Sequence, residues 1–266
     1  MPSPSIVDRT SQPVAVVLPT YNEASNLAPL VASILDTESV GAVLVVDDNS
    51  PDGTGEIADR LAHELARVEV IHRPRKLGLG TAYCAGFAAA ISAGYGRLIT
   101  MDADFSHDPK YLAALVARSA DHDLVIGSRY VDGAGTIDWS LTRRWISRIA
   151  NRTAILLLGM PTRDCTSGFR CYRKELLERI DYRSIRSDGY SFLVEALYRC
   201  TVLKPVSIAE IAICFAGRRH DRSKISRAEI VKGVATIARL GLLEPRHRLR
   251  ARLEQRISPG SQTEQP

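Results

Sequence analysis

Short β-branched runs alternate with longer amphipathic stretches through the first two-thirds of the chain, and every run ends in polar or charged residues. That order points to an α/β layer structure built on a mostly parallel sheet. Val14 to Leu18 reads as a buried strand closed by Pro19, and Leu27, Leu30, Val31, Ile34 and Leu35 recur behind it at helical spacing. Ala42 to Val46 gives a second strand, Ile57, Leu61 and Leu65 mark its helix, and Val68 to His72 gives a third strand. Gly78-Leu79-Gly80 opens an Ala-rich helix to about Ala93, followed by strands at Arg97 to Met101 and Asp123 to Ser128. Beyond residue 130 the pattern turns helical, near Leu141 to Leu158, Lys174 to Arg179 and Tyr190 to Leu203. One strand is expected from Ser207 to Phe215, and a last helix from about Ser226 to Leu243. Open α/β sheets bind ligands beyond the carboxyl ends of their strands, so the loops there are where chemistry is sought.

At 266 residues, 45% hydrophobic and 24% charged, the chain suits one domain plus tails and excludes disordered, collagen-like and coiled-coil classes. It contains no run of 18 or more apolar residues and opens without a positive region followed by an apolar one; neither a membrane span nor a secretory signal is expected. The cysteines, at 84, 165, 171, 200 and 214, lack C-x-x-C spacing, which argues against a disulfide framework or zinc site and for a reducing cytoplasm. Of a net charge of +5, residues 218–256 contribute +8, leaving the remainder near −3. A basic C-terminal segment on a near-neutral body points to an anionic partner, or to a solvated Arg-rich helix with none.

Three groups of residues carry chemistry. Asp102-Ala103-Asp104 sets two carboxylates at i, i+2 after an apolar strand, a spacing that suits a hard cation such as Mg²⁺ or Mn²⁺ sharing its shell with water and substrate phosphate. The competing reading is that Asp104 or Asp108 caps a helix beginning at Pro109. Val45-Val46-Asp47-Asp48-Asn49-Ser50-Pro51-Asp52-Gly53 reads either as an Asx or Pro-Asp-Gly turn or as the second-strand end that grips a ribose or base. A dinucleotide-binding Rossmann domain is disfavoured, because Pro19-Thr20-Tyr21-Asn22-Glu23 has no glycine where the pyrophosphate turn needs one. Gly78 and Gly80 come too late for that role and fit a close-packed helix entrance. A receiver domain would carry its acidic cluster after the first strand and be about half as long. Arg129, Arg143, Arg144, Arg218, Arg219, Arg222 and Lys224 lie in segments able to reach one sheet edge, where guanidinium groups would fork onto phosphate.

In order along the chain, VVLPTYNE, VVDDNSPDGTG, LGLGTAY, DADFSHDP, GSRY, the stretch from Trp139 to Asn151, CTSGFRCYRK and GYSF resemble the dolichol-phosphate (polyprenol-phosphate) mannose synthase branch of the family 2 glycosyltransferases. The resemblance runs from about Val14 to Lys224. It implies the Rossmann-like GT-A fold, a mostly parallel sheet with C-terminal helices. By position it implies that Pro19, Tyr21, Glu23, Val46, Asp48, Asp102 and Ala103 bind the sugar nucleotide, and that Asp104 holds the metal, Mg²⁺ or Mn²⁺. Ser106 stands where some members supply a second ligand. Arg129 matches a residue at the donor diphosphate and acceptor phosphate, Arg143 and Ser147 match the acceptor-phosphate site, and Arg218 and Lys224 match a loop closing on the diphosphate.

The implied reaction transfers mannose from GDP-mannose to a polyprenyl monophosphate with inversion; a UDP-glucose or other UDP-sugar donor is the alternative. An acceptor phosphate is largely dianionic at neutral pH and needs no general base. Asp164, Asp188 and Glu195 would be base candidates only for a sugar-hydroxyl acceptor, and otherwise read as caps or structural hydrogen-bonders. The expected partners are the donor, the membrane lipid, an anionic membrane surface and, as in some members, an integral membrane protein, with no nucleic acid. The expected location is the cytoplasmic face of the membrane. The expected organisation is a tail (1–12), the transferase domain (13–225), a basic amphipathic segment (226–257) and a disordered tail (258–266). In the basic segment Leu240, Leu242, Leu243, Leu249, Leu253 and Ile257 alternate with arginines, as in a helix lying on anionic lipid.

Overall fold

The structure, a computed structural model, describes residues 12–203, 205–217, 227–243, 249–250 and 254. Its strands are β1 (Val14–Thr20), β2 (Ala42–Asp47), β3 (Val68–His72), β4 (Arg97–Thr100), β5 (Leu124–Ser128), β6 (Gly135–Thr136), β7 (Arg170–Arg173), β8 (Ile208–Ala212) and β9 (Cys214–Phe215). Seven of them form one sheet in the order β3-β2-β1-β4-β7-β5-β8, and β6 pairs with β9 apart from it. All neighbours in the large sheet run parallel except β7, which is antiparallel to both β4 and β5. The helices are α1 (Ala24–Leu35), α2 (Thr54–Glu64), α3 (Leu79–Ser92), α4 (Leu112–Arg118), α5 (Leu141–Leu158), α6 (Lys174–Arg179), α7 (Tyr190–Val202) and α8 (Arg227–Ala238), the last running into a π-helical turn, Arg239–Leu243.

Successive strand residues point to opposite faces, so the continuous apolar runs of β1 and β2 feed two cores at once. Val17, Leu44 and Val46 pack with Tyr83 and Phe87 of α3 and Leu193 and Leu197 of α7. Val16, Leu18, Val43 and Val45 pack with Leu27, Leu30 and Ile34 of α1 and Leu112 and Leu115 of α4. This is the two-sided burial expected of a parallel sheet.

Four sequence expectations are corrected. Pro19 does not close β1, because pairing with β2 continues through Pro19↔Val46 and Thr20↔Asp47. The β4 ladder stops at Val17↔Thr100, so the missing proline N–H falls where β1 has a partner on one side only, a position that tolerates proline. The strand expected from Ser207 to Phe215 breaks at Ile213 into β8 and β9, which serve different sheets. β7 falls inside a segment read only as a motif, and its Arg170 is fully buried, donating to Tyr172 Oη (3.1 Å), Leu193 O (2.8 Å) and Cys165 O (2.8 Å). In the C-terminal segment, Leu240 and Leu249 lie in the domain core instead of on a lipid-facing side, while Leu242 is exposed as expected; Leu243 has no described side chain, and Leu253, Ile257 and both outermost tails (1–11 and 258–266) lie outside the described residues.

Candidate active site

The carboxyl ends of β1, β2 and β4 open onto a cleft of about 470 Å³. Of the residues singled out in the sequence, Pro19, Tyr21, Glu23, Asp48, Asp102, Ala103 and Asp104 line it. Val46 does not; it is fully buried in the core beneath. Arg218 and Lys224 lie outside the described residues.

The turn after β2 is both a turn and part of the cleft. Asp47 accepts from Ser50 N (3.0 Å) and Ser50 Oγ (2.6 Å), and Asp52 accepts from Thr54 N (3.1 Å) and Ala24 N (3.1 Å), fastening the turn to the start of α1. Asp48 is left facing the cleft, paired to Arg73 at 2.8 Å and accepting from Leu77 N at 3.2 Å. Burial raises its pKa, with Arg73 partly offsetting.

The D-x-D segment is held from behind by His107, which the sequence reading gave no role. The Asp102 backbone N–H donates to His107 Nδ1 (3.0 Å), so the ring proton belongs on Nε2. The ring stacks on Phe169 (4.9 Å between centroids) and meets Phe215 edge-on (5.3 Å), and burial lowers its pKa, keeping it neutral. Asp108, not Asp104, caps the turn at Pro109, accepting from Lys110 N at 3.0 Å. Asp104 lines the cleft while its Oδ1 accepts from Ser106 N (3.0 Å), and Ser106 Oγ is buried with no hydrogen-bond partner among the described residues. A carboxylate facing a cleft beside an orphaned hydroxyl is a hard-oxygen set that fits Mg²⁺ or Mn²⁺. Among the described residues no three His, Cys, Asp or Glu side chains gather as a cage, so such an ion would draw its other ligands from water and substrate.

The far wall is formed by Lys76 to Leu79, Asp188 to Tyr190 and Lys232 of α8; the sequence reading named Gly78 and Asp188 in other roles and did not place them on the cleft. Lys76 Nζ lies 3.9 Å from the centroid of the Tyr21 ring. The signal available was Gly78. Its φ is +99°, and a Cβ there would meet Asp188 Oδ1 at 2.3 Å, so the wall closes only around a glycine. Gly78→Ala is therefore expected to cost about 1–3 kcal/mol in a denaturant titration through backbone strain alone. The second glycine fits the close-packed helix entrance read from sequence: a Cβ on Gly80 would meet Phe192 Cδ2 at 2.8 Å.

α8 is fastened to this wall. Buried Glu195 accepts from Ser187 Oγ (2.6 Å) and Arg199 Nη2 (2.8 Å) and pairs with Arg239, just past α8. Burial opposes its ionisation, yet Ser187, Arg199 and Arg239 together hold its pKa low.

The arginine predicted at the phosphates is committed inside the protein. Arg129, at the end of β5, forks onto Asp164 through Nε (2.8 Å) and Nη2 (2.8 Å), while Nη2 also donates to Thr166 Oγ1 (2.6 Å). Burial opposes both charges, but each stabilises the other: the Arg129 pKa is raised and the Asp164 pKa lowered. Beside this pair, Tyr130 Oη and Ser147 Oγ share a hydrogen bond (2.8 Å), and the Arg143 guanidinium lies 4.0 Å from the Trp139 ring centroid. Arg129, Arg143 and Ser147 thus share one neighbourhood beyond β5, separate from the residues lining the cleft.

The chain is 42% identical over 236 residues to the polyprenol monophosphomannose synthase of Mycolicibacterium smegmatis, covering 88% of this chain and 89% of that protein. It is 41% identical over 240 residues to the undecaprenyl-phosphate mannosyltransferase of Micrococcus luteus, covering 90% and 98%. Among solved structures, glucosyl-3-phosphoglycerate synthase from Mycobacterium tuberculosis in complex with Mn²⁺, UDP-glucose and phosphoglyceric acid superposes with a TM-score of 0.61 at 18% identity, over 87% of this chain and 80% of that one. That likeness bears on fold alone and identifies the architecture as GT-A. Residues 15–181 match the profile described as Glycosyl transferase family 2, and with an acidic cleft beyond the parallel strands and two relatives above 40% identity, the chain belongs to that family.

Proposed function

We propose that this chain is an inverting transferase that moves mannose from GDP-mannose to a polyprenyl monophosphate at the cytoplasmic face of a membrane. The observation that carries the reading is the division of the site: an acidic cleft containing Asp104 for the donor, and a separate group, Arg143 and Ser147 beside the buried Arg129–Asp164 pair, for an anionic acceptor. The names of the two relatives support both halves. An acceptor phosphate oxygen attacks the anomeric carbon from the face opposite the leaving group, the bond from that carbon to the GDP oxygen breaks, and GDP departs with the electron pair. The phosphate has a second pKa of about 6 and arrives ionised. Glu195 and Asp164 are already spent on buried arginines, which suits a reaction that asks no proton of them. Asp104 and Ser106 would hold a divalent ion, which supplies charge neutralisation at the departing diphosphate. Tyr21 and Asp48 would orient the nucleoside, and Arg143 with Ser147 the acceptor phosphate.

The test supplies radiolabelled GDP-mannose or UDP-glucose with a polyprenyl phosphate, with and without EDTA, and extracts the lipid phase. Label entering from GDP-mannose and abolished by EDTA is the expected result. Label entering from UDP-glucose alone would transfer the reading to a UDP-sugar donor, and EDTA-resistant turnover would remove the metal from it.

A further inference from the structure

Helix α5 is apolar on two opposite sides. Its inner side buries Asn151, Ala154 and Leu158. On the outer side Leu141, Trp145, Ile146, Ile149, Leu156 and Leu157 are between 57% and 79% exposed. Leu141, Trp145 and Ile149 follow at i, i+4, i+8 and Leu156 seven residues on, one apolar stripe along the helix that Arg152 interrupts. An outward stripe of this length is not what a water-facing helix presents. Arg144 and Arg148 border it on one side, Arg152 lies within it, Arg143 turns toward Trp139, and the helix has no acidic residue. With these arginines it does not meet the requirements of a membrane span, and no helix among the described residues does.

We propose that the outer face of α5 is a docking surface for an anionic lipid bilayer, with the helix lying in the plane of the interface. A tryptophan among aliphatic residues, bordered by arginines without opposing acids, is the chemistry that sinks into the acyl boundary and pairs with acidic headgroups. The same helix carries Arg143 and Ser147, and Ser147 joins Tyr130 beside the Arg129–Asp164 pair, so docking along α5 brings the acceptor cluster to the headgroup layer. The proposal rests on the reading of the acceptor as a membrane-borne phosphate. It assigns attachment to the body of the domain, whereas the sequence placed it on the basic C-terminal segment, where Leu240 and Leu249 are core residues.

Sedimentation of the full chain with phosphatidylglycerol–phosphatidylcholine vesicles tests it. The variant carrying Ile149→Glu and Leu156→Glu is expected to bind at least about tenfold more weakly than the parent. Arg152→Glu should weaken binding and flatten its salt dependence. All three substitutions are at exposed positions, and unchanged circular dichroism and melting temperature establish that the fold survives. Equal sedimentation of the double variant and the parent overturns the proposal. So does a parent dimer that the double variant converts to monomer without loss of vesicle binding, since a second copy would then cover the face. Transfer to a short, water-soluble prenyl phosphate separates this from the functional reading. That activity should be equal in parent and variants, and its absence from the parent while α5-dependent vesicle binding persists would sink the reading of the reaction, not the docking.

Discussion

Asp164→Asn should be among the most damaging single substitutions in this chain. The change leaves the buried Arg129 guanidinium without its counter-charge and with one oxygen in place of two to answer its fork, and Arg129 N, Thr166 N and Ser167 N lose a charged acceptor at 3.0–3.1 Å. Removing one partner of a buried pair costs about 3–5 kcal/mol, a fall in melting temperature on the order of 10 °C. The effect also has a signature in pH. Because the folded-state pKa of Asp164 is depressed, its ionised form contributes stability that is fully present above the ordinary carboxylate value of about 4. That contribution is lost as pH falls through the lower folded value. The gap between parent and variant should therefore be wide at neutral pH and narrow in acid, as chemical denaturation at several pH values would show. Asp132→Asn is the control: Asp132 is fully exposed and lies 3.6 Å from Arg163, so its loss should stay within about 0.5 kcal/mol. Equal effects from the two substitutions would mean that the buried pair does not organise the end of β5.

Asp104→Asn should have the largest effect on turnover. Shape and one oxygen are retained, so the hydrogen bond from Ser106 N at 3.0 Å can persist and the fold should be unchanged by circular dichroism. In the proposed reaction, the lost charge is the one that would hold a divalent ion against the donor diphosphate. By comparison with losses of other electrostatic groups, kcat should fall by roughly 10²–10³, and Mn²⁺ binding measured by electron paramagnetic resonance in the presence of GDP should weaken in parallel. Parent-like turnover would remove Asp104 from the reaction. Loss of turnover with undiminished Mn²⁺ binding would place the ion elsewhere.

Much of the cleft was legible in the sequence because it is local. β1, β2 and β4 are short apolar runs, and the residues after each, Tyr21 and Glu23, Asp48, and Asp102 to Asp104, reach the cleft merely by following a strand. The pieces that were not legible depend on partners distant in sequence. Arg170-Cys171-Tyr172-Arg173 puts an arginine on each face of the strand, and the distant carbonyls of Cys165 and Leu193, with Tyr172 Oη, make burial of Arg170 tolerable. The commitment of Arg129 to Asp164 depends on a residue 35 positions away. Likewise His107 sits in a quoted motif, but its role appears only when Phe169 and Phe215 close on either side of it. The double-sided character of α5 was written in its spacing, yet which side is covered is a matter of packing and not of periodicity.

The antiparallel placement of β7 has a further consequence. Asp104 follows β4 and Arg129 follows β5, and the single strand lying between those two sets the strand ends they extend about 10 Å apart at ordinary interstrand spacing. One four-residue ribbon thus acts as the ruler between the group that would release the sugar and the group beside which it would be received. Relatives that handle bulkier or smaller cargo need not alter either group; slippage or splaying of this one ribbon would retune the gap.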